Sequence, residues 1–172
     1  MAAEPQGLLL VFEVSDQVAA LPVEDVERIV PIARLARPPH LPTALEGVLN
    51  LSGAAISVLR LDRLLGLPSK DPGLYSMVIV VKKEAMPAEK NARMAVLVDR
   101  VKEIRSVPQS ALLPVSEGHS FNGCARAAVA VSGQSLYILS PQHLLLEQEA
   151  QTLSEFQIIA QQRLRHWEAT AQ

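Results

Sequence analysis

The chain has 172 residues, 49% of them hydrophobic but only 3% aromatic, and a net charge of -2. That length suits one domain or two small lobes sharing a core, and that apolar content excludes general disorder. With neither a basic excess nor aromatic platforms, nucleic-acid binding is excluded as a function class.

Leu8 to Val14 is an apolar run that ends at the turn signal Ser15-Asp16-Gln17, and Val18 to Leu21 follows, so the chain opens on a β-hairpin. In VEDVERIV the residues Val23, Val26, Ile29 and Val30 recur near helical spacing, which predicts about one helical turn before the chain extends again. Pro31 and the run Arg37-Pro38-Pro39-His40-Leu41-Pro42 end any helix. Gly47 to Leu51 and Ala55 to Leu61 read as strands flanking Ser52-Gly53; Asp62 caps a short helix through Leu65 that Gly66 ends.

Tyr75 to Val81 is a β run, Lys82 to Arg93 a solvated connection and Met94 to Val98 the returning strand. The following V-x-x-V-x-x-I (Val98, Val101, Ile104) copies Val23, Val26 and Ile29 at an offset of 75 residues, in both cases directly after an apolar strand. This faint internal repeat predicts two similar lobes built of short strands. Pro108 to Asn122 reads as loop, Ala125 to Val131 and Ser135 to Leu139 as a hairpin across Ser132-Gly133-Gln134, and Pro141 as the start of a helix reaching about Leu146. In the tail, Thr152-x-x-Glu155 fits a capping box, and Leu153, Phe156, Ile159 or Ala160, Leu164 and Trp167 recur at helical spacing, so an amphipathic helix over residues 152–168 is expected.

No catalytic constellation is visible. His40, His119, His143 and His166 form no ligand pair, and one histidine near Cys124 is too few for a zinc site, so neither metal nor cofactor is expected. Cys124, the sole cysteine, precedes a β run and reads as a small buried residue. Asp99 reads as a turn cap, Ser52 lacks the second glycine of a nucleophile turn, and no phosphate or dinucleotide fingerprint occurs. Asn50-Leu51-Ser52 fits a glycosylation sequon, but the N-terminus has no basic n-region. With no apolar run of membrane-spanning length either, the cytosol is the simplest compartment and the sequon is set aside. The default is a binding module, not an enzyme.

The ordered set of an F-x-V strand, V-x-x-V-x-x-I, a Pro-rich loop, GVLNLSG, LRLDRLLGL, a Val-rich strand and VLVDRVKEI resembles the CheW family of chemotaxis coupling proteins, over about residues 8–147. The resemblance implies a mainly β fold of two small five-stranded barrels with short helices, to which the chain adds its C-terminal helix. It also implies a non-enzymatic adaptor between the cytoplasmic tip of a chemoreceptor and the regulatory domain of a CheA-type histidine kinase, cytoplasmic and associated with membrane receptor arrays. A groove between the barrels would take the receptor's helical hairpin; matching positions put Val26, Ile29 and Val98 near it, with simple core burial the equal alternative.

Two departures stand out. Family members carry N-L-R-G where this chain has Asn50-Leu51-Ser52-Gly53, and a glutamate where it has Arg28. An acid and an arginine thought to pair are thus replaced by arginine and serine, which avoids two facing cations. Arg28, Leu51, Ser52 and Gly53 therefore mark an altered kinase-coupling surface. They suggest a divergent paralogue serving a dedicated array, of the surface-sensing, Wsp-type kind. The alternative is an array spacer or competitor that binds receptor without activating kinase. For the tail, packing on its own domain, self-association and partner binding all remain open.

Overall fold

The structure is a computed structural model describing residues 6–32, 35–37, 39, 41, 43, 45–86, 93–115, 124–144 and 147–170, with backbone only for Gln6 and 147–154. Pro38, His40, Pro42, His119 and Leu146 lie outside the described residues. The fold is mainly β, two curled sheets of five and six strands with few helices. The first sheet runs β10-β11-β2-β1-β9 and the second β3-β7-β8-β6-β5-β4. The strands are β1 (Gln6–Val14), β2 (Gln17–Pro22), β3 (Val26–Pro31), β4 (Leu35–Ala36), β5 (Leu45–Leu51), β6 (Ala54–Arg60), β7 (Met77–Val81), β8 (Met94–Val98), β9 (Arg100–Pro108), β10 (Ala125–Val131) and β11 (Gln134–Leu139). Helix α1 is Leu61–Leu64 and α2 is Glu147–Thr170. Five strands per lobe were expected; the sixth strand of the second lobe is the two-residue β4.

Three apolar clusters explain the aliphatic composition. Leu9, Val11, Val129 and Ile138 fill the first lobe, and Leu49, Ile56, Val58, Val78, Val80 and Ala95 fill the second. The largest cluster lies between the lobes and takes the alternate residues of the same strands: Leu10, Phe12 and Val14 of β1, Ile79 and Val81 of β7, Met94, Val96 and Val98 of β8. Strands buried on both faces must be apolar at every position, hence MVIVV and MAVLV. Cys124 is 2% exposed and belongs to this inter-lobe core.

The predicted helical turn in VEDVERIV is confined to its first three residues, and the chain then extends. Only Val23–Asp25 forms a 3-10 turn; Val26–Pro31 is strand. The three-residue spacing comes from a β-bulge: Val26 faces Val81 and Arg28 faces Val80, which leaves Glu27 as the extra residue. Directly opposed residues share a face, so the bulge puts Val26 and Ile29 together on the inter-lobe side. The second copy is built alike. Val101 faces Phe12 and Glu103 faces Val11, so Lys102, 75 positions after Glu27, is extra, and Ile104 faces Leu10. The repeat is thus a repeated bulge, on one edge strand of each sheet.

Asp62, buried at 5% exposure, takes Arg60 Nη2 at 2.9 Å and the Arg63 backbone N–H at 2.7 Å. Glu46 lies 3.5 Å from Arg60, and Lys70 supplies a carbonyl. The Asp62 hydrogen bond, with the charges of Asp62, Glu46 and Asp71, raises the Arg60 pKa above its ordinary value against the effect of burial. LRLDRL therefore encodes a buried ion pair that fixes α1 and the loop after it. Gly66 ends the turn at φ +72°. Asp99 accepts the Ser15 N–H at 2.7 Å and ties the first hairpin to the β8–β9 junction.

Candidate functional site

The expected site residues fall in two places. Val26, Arg28 and Ile29 sit on β3; Leu51, Ser52 and Gly53 form the tip of the β5–β6 hairpin. β3 begins the six-stranded sheet and β5 lies next to its other end. Among the described residues no hydrogen bond or ion pair joins Arg28 to Ser52. The placements expected for the groove divide. Ile29 is 36% exposed, on the same face as buried Ile79, at the margin of the inter-lobe core. Val26 is half-buried against that core. Val98 is fully buried within it, opposite Met77 while Val26 is opposite Val81, so it has no side-chain surface to offer a partner and is core.

The exposed apolar residue most like Ile29 was not singled out from the sequence. Ile104 is 61% exposed and projects from β9 on the face shared with buried Leu10, as Ile29 does from β3. The repeat could have found it, since Ile104 is the counterpart of Ile29. Beside β3, burial followed by the neighbouring Glu24 raises the Asp25 pKa, partly offset by Arg126 and Lys82.

The hairpin is a two-residue turn in which Leu51 pairs with Ala54. Ser52 (φ +53°) and Gly53 (φ +87°) both take the left-handed conformation that a type I′ turn demands. Asn50 Oδ1 accepts the Gly53 N–H at 3.0 Å. Leu51 points into the second lobe's core and Ser52 is exposed. This geometry serves a turn. Gly53 supplies backbone freedom, and among the described residues no histidine is hydrogen-bonded to Ser52.

The tail covers this hairpin. Helix α2 is longer than expected, beginning five residues before Thr152, because Glu147-Gln148-Glu149-Ala150-Gln151 are good helix formers. Thr152 therefore lies inside the helix and does not cap its start. The Ala55 N–H donates to Gln161 Oε1 at 2.8 Å, Gln161 Nε2 donates to the Gly53 carbonyl at 3.0 Å, and Gln157 Nε2 donates to the Ala55 carbonyl at 3.0 Å. Two amides one helical turn apart thus complete the edge of β6 beyond Ser57, where its pairing with β8 begins.

Among the described residues one serine–histidine contact is present: Ser140 Oγ lies 3.0 Å from His143 Nδ1. It belongs to the 3-10 turn Pro141–His143, where the His143 N–H also bonds the Ser140 carbonyl. Among the described residues no cluster of three metal-ligating side chains occurs, and no helix is long and apolar enough to cross a membrane.

The profile of the CheW-like domain matches residues 8–149, a span that holds both sheets and the buried residues of all three clusters. The chain belongs to the CheW-like domain family. It is 23% identical over 139 residues to the chemotaxis protein CheW of Thermotoga maritima, covering 81% of this chain and 87% of that one. It is 26% identical over 145 residues to a probable chemotaxis protein CheW of Rhizobium etli, covering 83% and 90%. The crystal structure of the scaffolding protein TtCheW from Thermoanaerobacter tengcongensis superposes with a TM-score of 0.71 at 19% identity, covering 81% of this chain and 92% of that one. The CheW-like fold accounts for both lobes; α2 continues beyond the matched span.

Proposed function

We propose that this chain is a non-enzymatic adaptor that bridges the cytoplasmic tip of a chemoreceptor and the regulatory domain of a CheA-type histidine kinase, in the cytoplasm beside receptor arrays. The CheW-like match across both lobes carries this reading. Two exposed isoleucines on the inter-lobe faces support it: Ile29 and Ile104 give an apolar margin of the kind that receives an amphipathic receptor helix. The β5–β6 hairpin, with exposed Ser52 and the more distant Arg28, is the altered kinase-coupling surface of a paralogue dedicated to its own array. Reconstitution with a receptor fragment and the cognate kinase, reading binding and phosphorylation separately, tests the proposal. Receptor-dependent stimulation of phosphorylation is expected; binding to neither partner contradicts it.

The covered hairpin favours a second reading, an array spacer or competitor, which would bind receptor and leave phosphorylation unchanged. Capture of the cognate kinase in preference to a flagellar chemotaxis kinase tests the dedicated array, and equal capture of both contradicts it. Ile158, Ile159 and Trp167 are exposed on α2 and support self-association as a further role of the tail. Sedimentation of the full chain, with a dimer expected and a monomer at all concentrations contradicting it, decides that point.

A further inference from the structure

The seat of α2 on the hairpin is specific but shallow. It is specific because Gln157 and Gln161 meet three backbone groups, the Gly53 carbonyl and both polar groups of Ala55. It is shallow by three observations. From Glu155 to Thr170 no side chain is fully buried. A slot of about 340 Å³ remains between helix and sheet, lined by Ala36, Val48, Phe156, Ile159, Arg163 and Trp167. Gln157 Oε1 is buried without a hydrogen-bond partner. A helix held by few buried contacts, over an unfilled slot and an unsatisfied amide, belongs to the low-stability end of a structure.

The groups beneath the glutamines are the alternate carbonyls and the amide of one strand edge. An extended segment laid along the short stretch of β6 that precedes its pairing with β8 at Ser57 would satisfy the same three groups by strand addition. We propose that α2 is a displaceable cap in cis, and that the kinase regulatory domain reaches the β5–β6 hairpin by lifting α2 and pairing an extended strand with Gly53–Ala55. The proposal rests on the reading of this hairpin as the kinase-coupling surface. When the competent state is a minor fraction, the apparent affinity falls by that fraction, so the cap sets how readily the adaptor engages kinase.

The test uses the full chain carrying Q157A/Q161A, which removes the amides while alanine preserves the helix. Two quantities are read: hydrogen exchange at the Ala55 amide and the Kd for the kinase regulatory domain. Exchange at Ala55 should accelerate by roughly tenfold and the Kd should fall about three- to tenfold. Unchanged exchange overturns the clamp; accelerated exchange with an unchanged or weaker Kd overturns the competition. A third protein, Q157A/Q161A with Ser52→Asp, separates this from the underlying reading. If the tip substitution weakens binding but the double variant did not strengthen it, the cap alone fails. If neither changes the Kd, the hairpin is not the coupling surface.

Discussion

Two hairpins of the molecule have the same tip and different surroundings. Ser52-Gly53 joins β5 to β6, and Ser132-Gly133 joins β10 to β11. Both serines and both glycines have positive φ, +53° and +87° in the first, +49° and +77° in the second. A Cβ on Gly133 would meet nothing within 4 Å, whereas one on Gly53 would touch Glu168 of α2. Turn chemistry is therefore set locally by Ser-Gly between paired strands, and the difference between the tips is made by a helix about a hundred residues downstream.

The largest contrast lies at the base of each turn. Leu51 is buried in the second lobe's core, while its counterpart Val131 is half-buried at the margin of the first lobe's. Leu51→Ala should cost about 2–4 kcal/mol in chemical denaturation, and Val131→Ala about 1 kcal/mol or less. Equal costs would mean that the two hairpins are anchored alike. Next come the glycines. Gly53→Ala and Gly133→Ala each force a Cβ into the left-handed region and should each cost about 1–2 kcal/mol. A markedly larger loss at Gly53 would show that α2 leaves no room there, although the 3.7 Å approach of Glu168 is ordinary contact. The smallest effect is a gain: Ser52→Asn and Ser132→Asn install the Asn-Gly pair preferred in type I′ turns. Each should stabilise by roughly 0.5 kcal/mol or less. Destabilisation at position 52 alone would indicate that Ser52 has a role beyond the turn.

The readable parts of the fold are those with local causes. Ser15-Asp16, Ser52-Gly53 and Ser132-Gly133 mark hairpin turns because few residues enter the left-handed region readily. The runs at Met77–Val81 and Met94–Val98 are unbroken because both faces are buried. The segment after Val26 was misleading because a bulge at Glu27 converts the strand's period of two into a spacing of three, which imitates a helix. The same bulge at Lys102 made the repeat visible while hiding its nature, and with it the exposed Ile104. Val98 could not be separated from a surface residue, since an aliphatic at a strand end fits core and groove equally. Gln157 and Gln161 were unreadable as a clamp, because glutamines one turn apart look like a solvated helix face until the strand edge beneath them is in place.

The most direct measurement is hydrogen exchange along the full chain while the kinase regulatory domain is titrated in. On saturation, amides of α2 between residues 155 and 165 should exchange faster, the Ala55 amide should stay protected, and the Ser132-Gly133 tip should not change. Slower exchange in α2, or no change at either hairpin, would contradict the account.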